Sequence, residues 1–186
     1  CREAEHRTEG SFTAWLPTED GRLVFNPTGL VKGWAVGEAT AGLVEALRPL
    51  GAYDVLVYAG GDIALHCTRT DTPDWVVAVE DPRSPNRVLR TLSMRTGAVA
   101  TSGTAARGHH IVDPRTGGPA SSLLSATIIG PDLTWADVYA TAAFVKGPTA
   151  LAWVASLARH ATILVDTDGV VSSVRSISGC ASESRF

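Results

Sequence analysis

Cysteine is scarce in this chain: Cys1, Cys67 and Cys180 are three in number and far apart. An odd, widely spaced set builds neither a disulfide framework nor a thiolate metal cluster. Cys1 is read as an internal cysteine of a longer chain rather than a lipid-modified mature N-terminus. Clusters of Lys and Arg are also missing, and the net charge is −3. Neutralising a phosphate backbone needs concentrated positive charge, so nucleic acid is excluded as a partner. No apolar run reaches the roughly 20 residues of a membrane-spanning helix, and no secretory signal opens the chain. Internal repeats and low-complexity tracts are absent too. What is present is the material of a globular protein: 186 residues, 45% of them hydrophobic. That length supports one substantial core and one domain spanning residues 1–186.

The most informative stretch runs from Thr101 to Gly117. It follows the apolar run Ala98-Val99-Ala100, which reads as a short strand, and opens as a loop into Thr101-Ser102-Gly103. Small hydroxyls beside glycine let backbone amides approach a phosphate and add side-chain donors. Arg107, His109 and His110 supply further donors suited to a polyanion before the chain returns to Ile111-Val112. Ordinary turn chemistry also accounts for Thr-Ser-Gly and for Asp113-Pro114-Arg115-Thr116-Gly117 taken singly. Their proximity favours the lip of a site for a phosphate-bearing ligand.

Residues Cys1 to Glu9 resemble the tail of a helix. Asp20-Gly21 signals a turn into Leu23-Val24-Phe25. A glycine-punctuated loop, Asn26 to Gly33, then feeds a helix from about Trp34. Val36, Ala39, Leu43, Ala46 and Leu47 keep helical spacing there, and Pro49 with Gly51 end it. Tyr53 to Ala59 reads as a strand closing on Gly60-Gly61-Asp62. Trp75–Val79 and Arg87–Met94 read as an antiparallel pair, and Leu123–Gly130 as another strand. Helices are expected over Trp135–Lys146 and Thr149–Arg159, then strands at Thr162–Val165 and Val170–Val174 about an Asp168-Gly169 turn. The fold class expected is α+β, with a mixed or largely antiparallel sheet and about three main helices.

Three placements carry chemistry. Lys32 at a helix N-terminus opposes the macrodipole, so a bound ligand or a nearby carboxylate is the better account of it. Asp62 after paired glycines faces either a ligand or its own backbone in an Asx turn, the turn being slightly favoured. Asp137 and Thr141, four apart, share one helix face. A carboxylate and a hydroxyl are hard oxygen ligands that suit Mg²⁺, although a first-turn acid and a core-facing threonine are the plainer alternative.

Taken together these segments resemble the FAD:protein FMN transferase family, also called ApbE. The matching pieces are Thr28-Gly29-Leu30-Val31-Lys32-Gly33-Trp34-Ala35-Val36, Gly60-Gly61-Asp62, Thr101-Ser102-Gly103, His110 to Gly117, and Ala136-Asp137-Val138-Tyr139-Ala140-Thr141-Ala142. The resemblance implies cleavage of FAD at its pyrophosphate and transfer of FMN to a threonine hydroxyl of an acceptor flavoprotein, releasing AMP. It implies Mg²⁺ held by Asp137, Thr141 and the Gly29 carbonyl. It implies a pyrophosphate lined by Thr101, Ser102, Gly103 and His110, and contacts to the rest of FAD from Lys32, Gly60, Gly61 and Asp62. His110 is the first choice for the proton acceptor and Asp137 the second. FAD hydrolysis and non-catalytic FAD binding are the alternatives. The chain departs from the family pattern at Thr13 and Asn26, where aspartates are common, and resembles a member shortened at its N-terminus.

Overall fold

The computed structural model describes residues 1–18, 20–105, 108 and 111–175. Helix α1 (Arg2–Arg7) leads to the short strands β1 (Trp15–Pro17) and β2 (Leu23–Phe25), and then to helix α2 (Thr28–Leu47). Strands β3 (Asp54–Ala59) and β4 (Asp62–Cys67) form a hairpin, as do β5 (Trp75–Glu80) and β6 (Val88–Met94). Strands β7 (Thr96–Gly103) and β8 (Leu123–Gly130) precede helices α3 (Leu133–Lys146) and α4 (Ala150–Ser156). Strands β9 (Ala161–Asp166) and β10 (Val171–Arg175) follow. Six strands form one sheet in the order β10-β9-β8-β7-β4-β3, every neighbouring pair antiparallel. The α+β class, the antiparallel sheet and the three main helices are as expected.

Two-residue alternation divides β7 between two cores. Ala98 and Ala100 join Ala126 and Ile128 beneath α3, whereas Val99 joins Leu65 and Ile163 on the opposite face, against Val77, Val79 and Leu92 of the β5–β6 ribbon. The helix-facing positions of β7 meet Ala136, Ala140 and Ala143 of α3, all fully buried. Small side chains on both partners let α3 lie close to the sheet. Asp132 caps α3 by accepting the Trp135 N–H at 3.0 Å, and Gly147 ends it with φ 64°. The ribbon is tied down from its loop. Arg83 grips the buried Asp81 at 2.8 Å and donates to the Gly169 carbonyl at 3.2 Å, holding the Asp81 carboxyl down at about 2.

Four expectations need correction. Helix α2 begins at Thr28, not near Trp34, because Gly29 and Gly33 are helical and mark close approaches rather than loop punctuation. Thr101, Ser102 and Gly103 belong to strand β7, where hydrogen bonding to β8 overrides their turn propensity. Asp62 opens β4 rather than closing an Asx turn; Gly60 and Gly61, both at positive φ, make the hairpin turn before it. The helix expected to Arg159 stops at Ser156. Strands β1 and β4 are additional to those expected, and Val112 makes an isolated bridge to Pro119. Among the described residues no helix is long and apolar enough to cross a membrane.

His160 sits where β9 approaches the end of β8. Its Nδ1–H donates to the Ala158 carbonyl at 2.7 Å, and its ring meets the Tyr139 ring edge-on at 5.1 Å. Nε2 is buried without a hydrogen-bond partner among the described residues. Burial therefore lowers its pKa from the ordinary 6.5, with Arg159 adding to the shift. The unfolded chain takes up this proton first on acidification, so the stability contribution is present above pH 6.5 and lost as pH falls through the depressed native value. Melting temperature should drop between neutral pH and pH ~5.5, and His160→Gln should flatten that segment of the curve. Parallel curves for the two proteins would remove His160 as the source.

Candidate active site

The turn between β3 and β4, the end of β7 and the first turns of α2 converge beside α3. They enclose a cavity of about 800 Å³, towards the upper end of the roughly 300–1,000 Å³ typical of small-molecule sites. The cavity wraps around the sheet end, so alternate residues of β7 reach it on opposite faces. Ser102 points to the helices, its Oγ 3.1 Å from Thr141 Oγ1 on α3. Thr101 points to the ribbon side, its Oγ1 2.8 Å from Thr127 Oγ1 on β8.

Asp137 lies one helical turn before Thr141 and is 5% exposed. Its Oδ2 accepts the Gly33 N–H at 3.0 Å, an amide that an ideal helix would give to the Gly29 carbonyl. Thr141 Oγ1 lies 3.9 Å from where a Gly29 side chain would begin, and the Phe12 ring lies 3.1 Å from the same point. The carboxylate, two hydroxyls and the first turn of α2 thus share one corner of the cavity.

Across the cavity, Lys32 Nζ lies 2.7 Å from Asp62 Oδ2. Asp62 is fully buried, and burial raises its carboxyl pKa against the opposing pull of the Lys32 ammonium and the Thr101 amide. A carboxylate therefore accounts for Lys32, as expected of a cation near a helix start. The pair fastens α2 to β4 and leaves the half-exposed lysine stem on the cavity wall.

Gly29, Lys32, Asp137 and Thr141 all line this space, as do Thr101, Ser102 and Gly103. Gly60 and Gly61 form part of its rim, with Asp62 beneath Lys32. His110 lies outside the described residues. Sequence reasoning missed Phe12, Tyr58, Ser125 and the apolar wall from Val77 and Val79. Val77 and Val79 carried a signal, since they alternate on one face of a strand that was anticipated. The contact of Phe12 with Gly29 carries no local signal, because it forms across the fold. Among the described residues no three of His, Cys, Asp and Glu gather into a metal cluster.

These features define an α+β protein with a cleft of mixed polar and apolar lining at the end of the sheet. The chain belongs to the ApbE family, whose model matches residues 4–164. It is 30% identical over 128 residues to the FAD:protein FMN transferase of Vibrio cholerae, which is 63% of this chain and 37% of that protein. The Treponema pallidum protein of the same name is 38% identical over 84 residues, 40% of this chain and 23% of its own. Among solved structures, the ApbE protein of Thermotoga maritima matches with TM-score 0.73 at 27% identity, covering 95% of this chain and 61% of that one. The flavin transferase ApbE from Vibrio cholerae shares the fold with TM-score 0.72 at 22% identity, covering 95% and 72%. The chain thus spans only part of the length of its relatives.

Proposed function

We propose that the cavity binds FAD and serves the transfer of FMN to a threonine hydroxyl of an acceptor flavoprotein, with release of AMP. The observation that carries this reading is convergence: Asp137, Thr141, Ser102, Thr101 and Lys32, from three separate elements, face one space of dinucleotide size. The names of the relatives, FAD:protein FMN transferase, point the same way.

A pyrophosphate is inert until charge on its oxygens is neutralised and the nucleophile is placed. Asp137 and Thr141 by side chain, and Gly29 by its carbonyl, would hold Mg²⁺, for which hard oxygens are the matched donors. When bound, that ion supplies charge neutralisation at the phosphates. The hydroxyls of Thr101 and Ser102 orient the phosphate oxygens, and the Lys32 ammonium attracts the anion. The turn at Gly60-Gly61 lets the adenosine end approach the backbone closely. The acceptor threonine oxygen bonds to the phosphorus on the FMN side, the bond from that phosphorus to the bridging oxygen breaks, and AMP leaves with that oxygen. His110 is assigned as acceptor of the threonine proton.

Mass spectrometry of an acceptor peptide, incubated with the full-length parent protein, FAD and Mg²⁺, tests this. One FMN should appear on threonine, with one equivalent of AMP. AMP released equally without acceptor would replace transfer by hydrolysis. FAD bound without any AMP release would replace it by simple binding.

A further inference from the structure

We infer that Thr127 is a positioning residue: it fixes the Thr101 hydroxyl so that its proton points into the cavity, towards an anionic oxygen of the ligand. The inference rests on the reading of this cavity as a site for the FAD pyrophosphate.

Thr101 and Thr127 are direct cross-strand partners on β7 and β8, with their hydroxyl oxygens 2.8 Å apart. Their environments differ sharply. Thr127 is 1% exposed, whereas Thr101 is exposed and lines the cavity. Between two hydroxyls either oxygen can donate, so burial decides the direction. A proton on the buried Thr127 hydroxyl has no water to meet, and leaving it unsatisfied is unfavourable. Thr101 is the hydrogen-bond partner of that hydroxyl among the described residues. Thr127 therefore donates and Thr101 accepts.

Two consequences follow for Thr101. Accepting from Thr127 occupies one of its lone pairs and limits rotation about its C–O bond, leaving its own proton for the cavity side. Accepting a hydrogen bond also polarises its O–H, making it a stronger donor to a phosphate oxygen. The support beneath is firm. The Thr162 hydroxyl, also 1% exposed, donates to the Thr127 carbonyl at 2.9 Å and pins β9 to β8 below the pair. A donor arranged in this way needs no reorganisation when the anion arrives.

Equilibrium binding of FAD, and of riboflavin as the same ring without phosphate, separates positioning from plain structure. Thr127→Val keeps the shape and removes the donor. It should weaken FAD binding about three- to ten-fold, the worth of one ordered hydrogen bond, and leave riboflavin binding unchanged. Thr127→Ser should restore FAD binding. Thr101→Val with Thr127→Val should bind FAD no more weakly than Thr101→Val alone, because the two act as one unit. Thermal melts of the same samples monitor folding, and Thr127→Ala carries the comparison if the valine variant does not fold. FAD affinity at the wild-type level in Thr127→Val, beside a weakened Thr101→Val, overturns the inference. So does a loss in Thr127→Val that extends equally to riboflavin. Thr101→Val binding FAD like wild type would instead overturn the phosphate-site reading beneath it.

Discussion

Asp137→Asn should lower the rate of FMN transfer by about 100- to 1,000-fold, the range expected when the cation that neutralises transition-state charge loses its anionic ligand. Asp137 has one role in the packing and a second in the proposed chemistry. Its Oδ2 accepts the Gly33 N–H at 3.0 Å and so helps hold α2 against α3. Its charge, together with the Thr141 hydroxyl one turn on, would attract the cation. Asparagine can keep the first role through its amide oxygen while removing the negative charge. Melting temperature should therefore stay close to wild type while the rate falls. Higher Mg²⁺ should recover part of the activity, since an amide oxygen is a weaker cation ligand than a carboxylate. FAD affinity measured without Mg²⁺ should change little. A wild-type rate, or a rate lost without any change in Mg²⁺ dependence, would remove Asp137 from the metal role.

Why some of this was legible in the sequence and some was not follows from the range of the interactions involved. The Asp137–Thr141 pair is local: a four-residue spacing on a helix puts both on one face whatever surrounds them. The Gly60-Gly61 turn is equally local, since few other residues adopt the positive φ it uses. Helix α2 was misread at its start because glycine has two uses. It ends helices when conformation is at issue, yet at Gly29 and Gly33 it clears space for Phe12 and Asp137, residues far away in the chain. Thr101 to Gly103 were misread for a related reason. Their turn propensity is real, but pairing with β8 is a tertiary fact that overrides it. The Asx turn favoured for Asp62 lost to Lys32, whose ammonium lies 2.7 Å from the carboxylate and comes from another element. The resemblance to a family singled out these segments; contacts across the sheet show how they are held.

Gly33→Ala is the sharpest test of that packing, because two opposing effects can be compared in size. In an exposed helix the change should stabilise by about 1 kcal/mol, since alanine loses less backbone freedom than glycine. Here the new Cβ would lie 2.6 Å from Asp137 Cβ, 2.9 Å from Asp137 Oδ2 and 3.0 Å from the Leu133 carbonyl oxygen. The nearest of these atoms is fixed to the α3 backbone and the last belongs to it, so no flexible side-chain end can swing away. Overpacking of this kind costs about 1–3 kcal/mol, occasionally more, and the sign of the mutation reverses. Net of the helix gain, Gly33→Ala should thus lower the free energy of unfolding by up to about 2 kcal/mol. Transfer activity should fall further than stability predicts, because relief of the clash moves Asp137 away from Thr141. Gly37→Ala, one turn along α2, is the control: its new Cβ would meet only Thr134 Oγ1, at 3.4 Å, and should be neutral or stabilising by up to about 1 kcal/mol. Urea denaturation of the two variants should separate them in opposite directions from wild type. Equal stability in both would mean that α2 and α3 do not meet at Gly33, and the corner that brings Asp137 to the cavity would have to be drawn differently.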